Sequence, residues 1–233
     1  SSNYCTMNPL NRAYSDITVV DGNLKATFSA SGGWELIVGT ISMNSGKWYW
    51  ESTVNQVSGY GEAVGLIDNS DNFIANGLNY CGYRALGYGW GGHDNAFRHN
   101  NVSVASPGTY AANDILCCAY DADTRKFWVR VNNGSWVGGG DPAAATSPLA
   151  TLAAPAGTGY FPACSGYNNT VATMNFGQRP FSYTPPTGFK AICTSNISVP
   201  ADSSKWFYGG SPDFLWIKDR TTGYTHAIAD SVR

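Results

Sequence analysis

The chain has 233 residues, a formal net charge of −2 and only 13% charged residues, against 43% hydrophobic and 14% aromatic. Average globular proteins carry roughly 25% charged residues, so Gly, Ser, Thr and Asn must finish this surface, and the apolar content excludes a disordered chain. The 14 Lys plus Arg are scattered without a basic run, which argues against nucleic-acid binding, and no apolar run approaches the ~20 residues of a membrane span.

Residues 1–10 have neither a basic start nor an apolar segment, so no signal peptide is expected. Strand patterns then follow one another. Residues 17–20 and 24–28 flank Asp21-Gly22-Asn23, a tight-turn sequence. Residues 34–41 form an apolar run, and 47–54 alternate bulky and polar side chains after Ser45-Gly46. Residues 62–67 end at Asp68-Asn69-Ser70-Asp71-Asn72, and 84–90 end at Gly91-Gly92-His93-Asp94-Asn95, with His99 placed across a short hairpin. Residues 114–120 and 126–131 are joined by Asp121-Ala122-Asp123-Thr124-Arg125. The Ala-rich stretch 143–156 is interrupted by Pro148 and Pro155 and reads as a loop. Residues 159–164 and 170–176 are joined by Gly166-Tyr167-Asn168-Asn169. Helical periodicity is almost absent. Short strands at regular spacing with Gly, Asn and Asp at the turns predict an all-β, antiparallel two-sheet sandwich of the jelly-roll type.

The composition shifts after Phe189. The expected organisation is a sandwich over 1–191, a polar linker over 192–204 and a β-containing extension over 205–233. That extension is too short to bury its own core, so it is expected to pack on the sandwich, on another subunit or on further chain beyond Arg233. Cys5, Cys81, Cys117, Cys118, Cys164 and Cys193 form no CxxC pair and no Cys-His zinc spacing. Cys117 and Cys118 are strand neighbours whose side chains point to opposite faces. All six are read as reduced, structural thiols, as in a cytoplasm.

Residues that could carry chemistry have plainer readings. Asp121 and Asp123 lie at a strand end and read as hairpin-turn residues, since a glycosidase needs two carboxylates flanking one bond. His93, His99 and His226 bring no third ligand with them. Asp68-Asn69-Ser70-Asp71-Asn72 lacks the Gly and the distant Glu of a Ca²⁺ loop. No catalytic residue, metal site or cofactor is therefore expected. Trp90, Trp136 and Tyr167 sit near expected loop tips, where exposed aromatics suit sugar faces or protein hot spots; folding back onto the sandwich edge is the other placement open to each. Trp48, Trp50, Phe127, Phe161 and Phe176 are expected in the core.

Several segments in order resemble SPRY domains. Gly46-Lys47-Trp48-Tyr49-Trp50-Glu51 resembles an early strand of that family, and Ala63-Val64-Gly65-Leu66 the small-residue strand after it. Gly87-Tyr88-Gly89-Trp90 is similar to its Tyr-Gly-Tyr strand. Residues 114–121 resemble its Asp-x-x-x-Cys-x-x-Asp strand, with Asn113 where Gly is usual, and 127–134 its Phe-x-x-Asn-Gly hairpin. Tyr160-Phe161-Pro162-Ala163 and Asn175-Phe176-Gly177-Gln178-Arg179-Pro180-Phe181 complete the series. SPRY domains are β-sandwich interaction modules that bind through loops at one edge. That analogy points to Trp90, His93, Asp94, Arg98, Asn133 and Trp136 as binding residues.

Residues 3–10, the loop 136–143, residues 182–190, and Ser211-Pro212-Asp213-Phe214-Leu215-Trp216-Ile217-Lys218 with Asp230-Ser231-Val232-Arg233 resemble SPRY-like modules of bacteriophage particle proteins. The resemblance implies a non-enzymatic virion module, on a tail fibre or capsid-surface fibre, that binds a host-cell surface glycan or protein or another virion protein. It implies a homo-oligomer, a trimer if the module sits on a fibre, assembled in the host cytoplasm as a fragment of a longer polypeptide, with subunit contacts made by 206–233. Nucleic acid and membrane insertion are not expected. Two further readings are a cellular SPRY adaptor that binds a short peptide and a polysaccharide-cleaving enzyme acting through Asp121, Asp123 or Glu62.

Overall fold

The computed structural model describes residues 2–13, 16–30, 32–57, 63–72, 80–91 and 94–197, with the backbone of Glu62, Phe214–Ile217 and Ala227–Asp230. The chain divides into two units, Ser1–Ile197 and Ser198–Arg233.

The first unit is built from β1 (Met7–Ala13), β2 (Ile17–Val20), β3 (Lys25–Phe28), β4 (Glu35–Gly39), β5 (Lys47–Gln56), β6 (Glu62–Asp68), β7 (Gly87–Gly91), β8 (Ala96–His99), β9 (Val102–Ala105), β10 (Ile115–Asp121), β11 (Lys126–Val131), β12 (Ala150–Thr151), β13 (Tyr160–Gly166), β14 (Thr170–Asn175) and β15 (Lys190–Ala191). One sheet has the order β1-β4-β13-β6-β7-β8-β9 and the other β12-β11-β10-β5-β14-β3-β2. Pairing is antiparallel throughout, except that β15 runs parallel to β5. In the second unit, β16 (Phe214–Ile217) and β17 (Ala227–Asp230) form an antiparallel pair.

Strand periodicity sorts the side chains between the sheets. Trp48, Trp50 and Val54 of β5, Leu116, Cys118 and Tyr120 of β10, Phe127 and Val129 of β11, Val64 and Leu66 of β6, and Tyr88 and Trp90 of β7 meet in one core. Removing each such large side chain from water stabilises the fold by about 1.5–3 kcal/mol. The outer faces carry smaller clusters. Leu36, Val38, Ile67, Cys81 and Ala163 gather on the seven-stranded sheet. Tyr49, Cys117, Ala119, Trp128 and Phe189 gather on the other, beneath Phe181, Tyr183 and Trp136. Cys117 and Cys118 therefore do face opposite ways, and all six cysteines are free and buried.

The family-like ending, 175–183, works as a latch over this second outer face. Buried Glu51 accepts hydrogen bonds from the Ser182 N–H at 2.9 Å and the Tyr183 N–H at 3.0 Å, and from the Tyr49 hydroxyl at 3.0 Å. Asn175 closes the turn, accepting from the Gly177 N–H and donating to the Pro180 carbonyl.

Some sequence expectations need correcting. β1 was not foreseen because its pairing with β4 shifts register between Met7 and Arg12, which destroys simple alternation. Residues 84–86 are turn; the strand begins at Gly87. Phe161 is only partly buried, on the outer face with the Leu36 cluster. Residues 192–197, expected in the linker, pack on the sandwich: Ile192 and Cys193 are buried, and the Ile192 carbonyl accepts from the Cys5 N–H. The rest of that linker, most of the extension and the side chains of 214–217 and 227–230 lie outside the described residues.

Candidate functional site

The outer face of the seven-stranded sheet carries a cleft of about 170 Å³ at one end of β6, β7 and β8. Ala63 and Gly91, paired across β6 and β7, floor it without bulk. Trp34 and Tyr80 form aromatic walls, and Asp94, Arg98 and Asn101 complete the lining.

Local sequence explains each element. Alternation along β8 sends Phe97 into the core, so Arg98 faces outward. The Asn100-Asn101 turn joins β8 to β9 with φ of 50° and 59°, a left-handed pair that Asn tolerates and that tight hairpins need. Segment 80–83 lies directly on the sheet: a Cβ at Gly89 would sit 2.0 Å from the Cys81 carbonyl oxygen. The Cys81 N–H donates to Ser165 Oγ at 3.1 Å, and the Asn101 N–H to the Gly82 carbonyl at 2.9 Å. Gly82 itself has φ 93°.

This placement builds a row of aromatic rings. Tyr83 meets Tyr80 edge-on with centroids 5.7 Å apart, Tyr80 lies 5.1 Å from Trp34, and Trp34 lies 6.0 Å from Tyr167. The Tyr80 hydroxyl donates to Asn101 Oδ1 at 2.5 Å. Burial raises the Tyr80 phenol pKa; nearby Arg98 opposes the shift. Arg98 grips Asp94 in a fork, with Nη1 3.0 Å from Oδ1 and Nη2 against Oδ2. The hydrogen bond to Asp94 raises the guanidinium pKa. The paired charges cancel at the rim.

The residues singled out from sequence part company here. Asp94 and Arg98 enter the cleft. His93 lies outside the described residues, as do His226 and the side chain of Glu62. Trp90 is not at a loop tip: it is fully buried, packs edge-on against Tyr110 at 5.0 Å and donates its indole N–H to the Gly108 carbonyl at 2.9 Å. The outward residues of β7 are its glycines, so Trp90 falls on the core side. Asn133 and Trp136 belong to the other sheet. Asn133 is exposed, and half-buried Trp136 stacks on Arg130 at 4.7 Å. No single edge unites the six residues. Tyr167 is half-buried beside Trp34, in the aromatic row. Sequence reading missed Trp34, Tyr80 and Asn101. The signal was the Tyr80-Cys81-Gly82-Tyr83 run, aromatic and glycine-bearing.

Asp121 and Asp123 anchor turns. Asp121 accepts from the N–H groups of Asp123 and Thr124, and Asp123 from that of Gly46. Asp68 accepts from the N–H groups of Ser70, Ala156 and Gly157, so its loop is a hydrogen-bonded turn. His99 stacks on Tyr88 at 4.1 Å, with Nδ1 3.0 Å from the Gly87 carbonyl.

The sequence matches no family model and no curated protein. The fold is similar to the crystal structure of the SPRY domain of human HERC1, with a TM-score of 0.56 and 15% identity, covering 75% of this chain and 99% of that one. The sandwich is thus SPRY-like.

Proposed function

We propose that this chain is a non-catalytic recognition module of a bacteriophage virion, carried on a tail or capsid-surface fibre, and that it engages its ligand through the cleft bounded by Trp34, Tyr80, Asp94 and Arg98. The observation that carries the recognition reading is the cleft itself: aromatic walls and a forked ion pair sit over a floor of Ala63 and Gly91. Such a mix of apolar walls and a few directed polar groups is how binding sites secure both affinity and orientation. Two of the carboxylates on which a hydrolase reading would draw, Asp121 and Asp123, are engaged by backbone N–H groups. The virion context rests on the sequence resemblance of the opening residues, the loop 136–143 and the extension. Repetition on a fibre would multiply a weak single-site contact into avidity.

The test is reconstruction of phage particles containing this chain by electron microscopy, together with host-cell binding by the isolated protein and its Arg98→Ala variant. Repeated copies on a particle, and cell binding that Arg98→Ala weakens, are the expected results. A chain found on no particle, binding a short peptide as a monomer, would establish the cellular adaptor reading instead.

A further inference from the structure

We infer that the cleft takes one neutral pyranose unit of a surface polysaccharide, with the chain of sugars running along the row of Tyr83, Tyr80, Trp34 and Tyr167. The inference rests on the reading of this cleft as the recognition site.

Four observations carry it. The cleft is small, about 170 Å³, below the ~300–1,000 Å³ of drug-sized ligand pockets, which suits a single sugar ring better than a run of peptide side chains. Its wall is aromatic: Trp34 and Tyr80 line it with ring centroids 5.1 Å apart, and the negative face of an aromatic ring attracts the weakly positive C–H groups on one side of a pyranose. Its rim is neutral in sum, because Arg98 and Asp94 neutralise one another through two parallel hydrogen bonds. An anionic ligand would have to compete with Asp94 for the guanidinium and would meet an exposed carboxylate. A vicinal diol has no such conflict: one hydroxyl donates to Asp94 Oδ while its neighbour accepts from a remaining Arg98 N–H. Finally, the Tyr80 hydroxyl occupies Asn101 Oδ1, which orients the Asn101 side chain and leaves its amide NH₂ as a donor to a ring or hydroxyl oxygen.

The arrangement also sets a direction. The aromatic row extends past the cleft on both sides, to Tyr83 and to Tyr167. A polymer would therefore bind through several weakly stacked rings, with one ring fixed by hydrogen bonds.

The experiment uses the full chain on an array of bacterial surface polysaccharides, neutral and acidic, with whole host cells as a parallel sample. The comparison variants are Asp94→Asn, which keeps the shape of an exposed side chain, and Trp34→Ala. Retention on one or more neutral polysaccharides, weakened about tenfold by either substitution, is the expected result; Asp94→Asn keeps this decisive if Trp34→Ala fails to fold. Retention on acidic polysaccharides alone, strengthened by Asp94→Asn, overturns the neutral-sugar assignment and leaves the recognition site standing. So does cell binding that Asp94→Asn or Trp34→Ala abolishes, with no polysaccharide retained. Cell binding that no cleft substitution alters overturns the assignment and the recognition site together.

Discussion

Glu51 is the sharpest single test of how this sandwich is held closed. It is 2% exposed and accepts three hydrogen bonds, from the Ser182 N–H, the Tyr183 N–H and the Tyr49 hydroxyl. Glu51→Ala leaves those donors without their acceptor, and each buried orphan costs about 1–3 kcal/mol. The three are not equal. Tyr49 is fully buried and its hydroxyl stays dry, whereas Ser182 is exposed and its N–H can turn to water. Taking about 2 kcal/mol for Tyr49 and about 1 kcal/mol for each of the two amides, the expected loss is about 4 kcal/mol, a large share of a typical 5–15 kcal/mol. For a chain of this size that lowers Tm by roughly 12 °C. Glu51→Gln keeps one carbonyl oxygen, which can hold the Oε1 pair of donors and release Ser182, so its loss should be about 1 kcal/mol. Thermal unfolding followed by near-UV circular dichroism reads both values. Hydrogen exchange should show the Tyr183 amide losing protection in Glu51→Ala while the amides of β10 and β11 keep theirs. A Glu51→Ala protein that melts within about 2 °C of the parent would refute the latch, and with it the role given to the turn at 175–181.

Four further outcomes follow from the same packing. Trp90→Phe should cost about 1 kcal/mol more than Trp50→Phe, because the Trp90 indole N–H has a partner in the Gly108 carbonyl while Trp50 Nε1 has none among the described residues; equal losses in urea titrations would count against that assignment. Gly65→Ala places a Cβ 1.9 Å from the Tyr88 carbonyl oxygen, so β6 and β7 must separate, and a loss of at least about 1–3 kcal/mol is expected; a variant of parental stability would show that the sheet yields freely. Burial raises the Cys5 thiol from 9.0 to about 11, so the unfolded chain gives up that proton first. The stabilisation it contributes is whole below pH 9 and is lost as pH rises through about 11; Tm should fall across that window, and less steeply in Cys5→Ala. All six thiols are buried, so a thiol reagent should react slowly with native protein at pH 8 and fully in denaturant; rapid native reaction would place a cysteine at the surface.

The sandwich was legible because its signals are local. Alternation in 47–54 and 126–131, and the Asn-Gly-Asp turns between runs, follow from the two-residue side-chain period of a strand and from the few residues that accept left-handed φ. Asp121 was likewise readable as a turn residue, since its turn hydrogen bonds reach only two and three positions along the chain, whereas the Asp123 carboxylate reaches the Gly46 N–H, 77 positions away. β1 escaped because a register shift breaks the alternation. Trp90 was misplaced by its nearness to a Gly-rich turn, when the parity of β7 sends Tyr88 and Trp90 inward and leaves glycines outside.

What this sequence determined by itself is therefore the class of the fold, its turns, the opposed faces of Cys117 and Cys118, and two members of the cleft, Asp94 and Arg98, which sit four residues apart around one hairpin. Only the tertiary structure decided that Trp34, Tyr80 and Asn101 join them, and that Asn133 and Trp136 do not. Trp34 and Tyr80 lie 46 positions apart and Asn101 a further 21 along, and their meeting depends on strand order: β7 and β8 stack beside β6 and β13, while segment 80–83 can lie across β7 because Gly89 has no side chain. Periodicity says which way a side chain points from its own strand. It says nothing of which strand will be next to it.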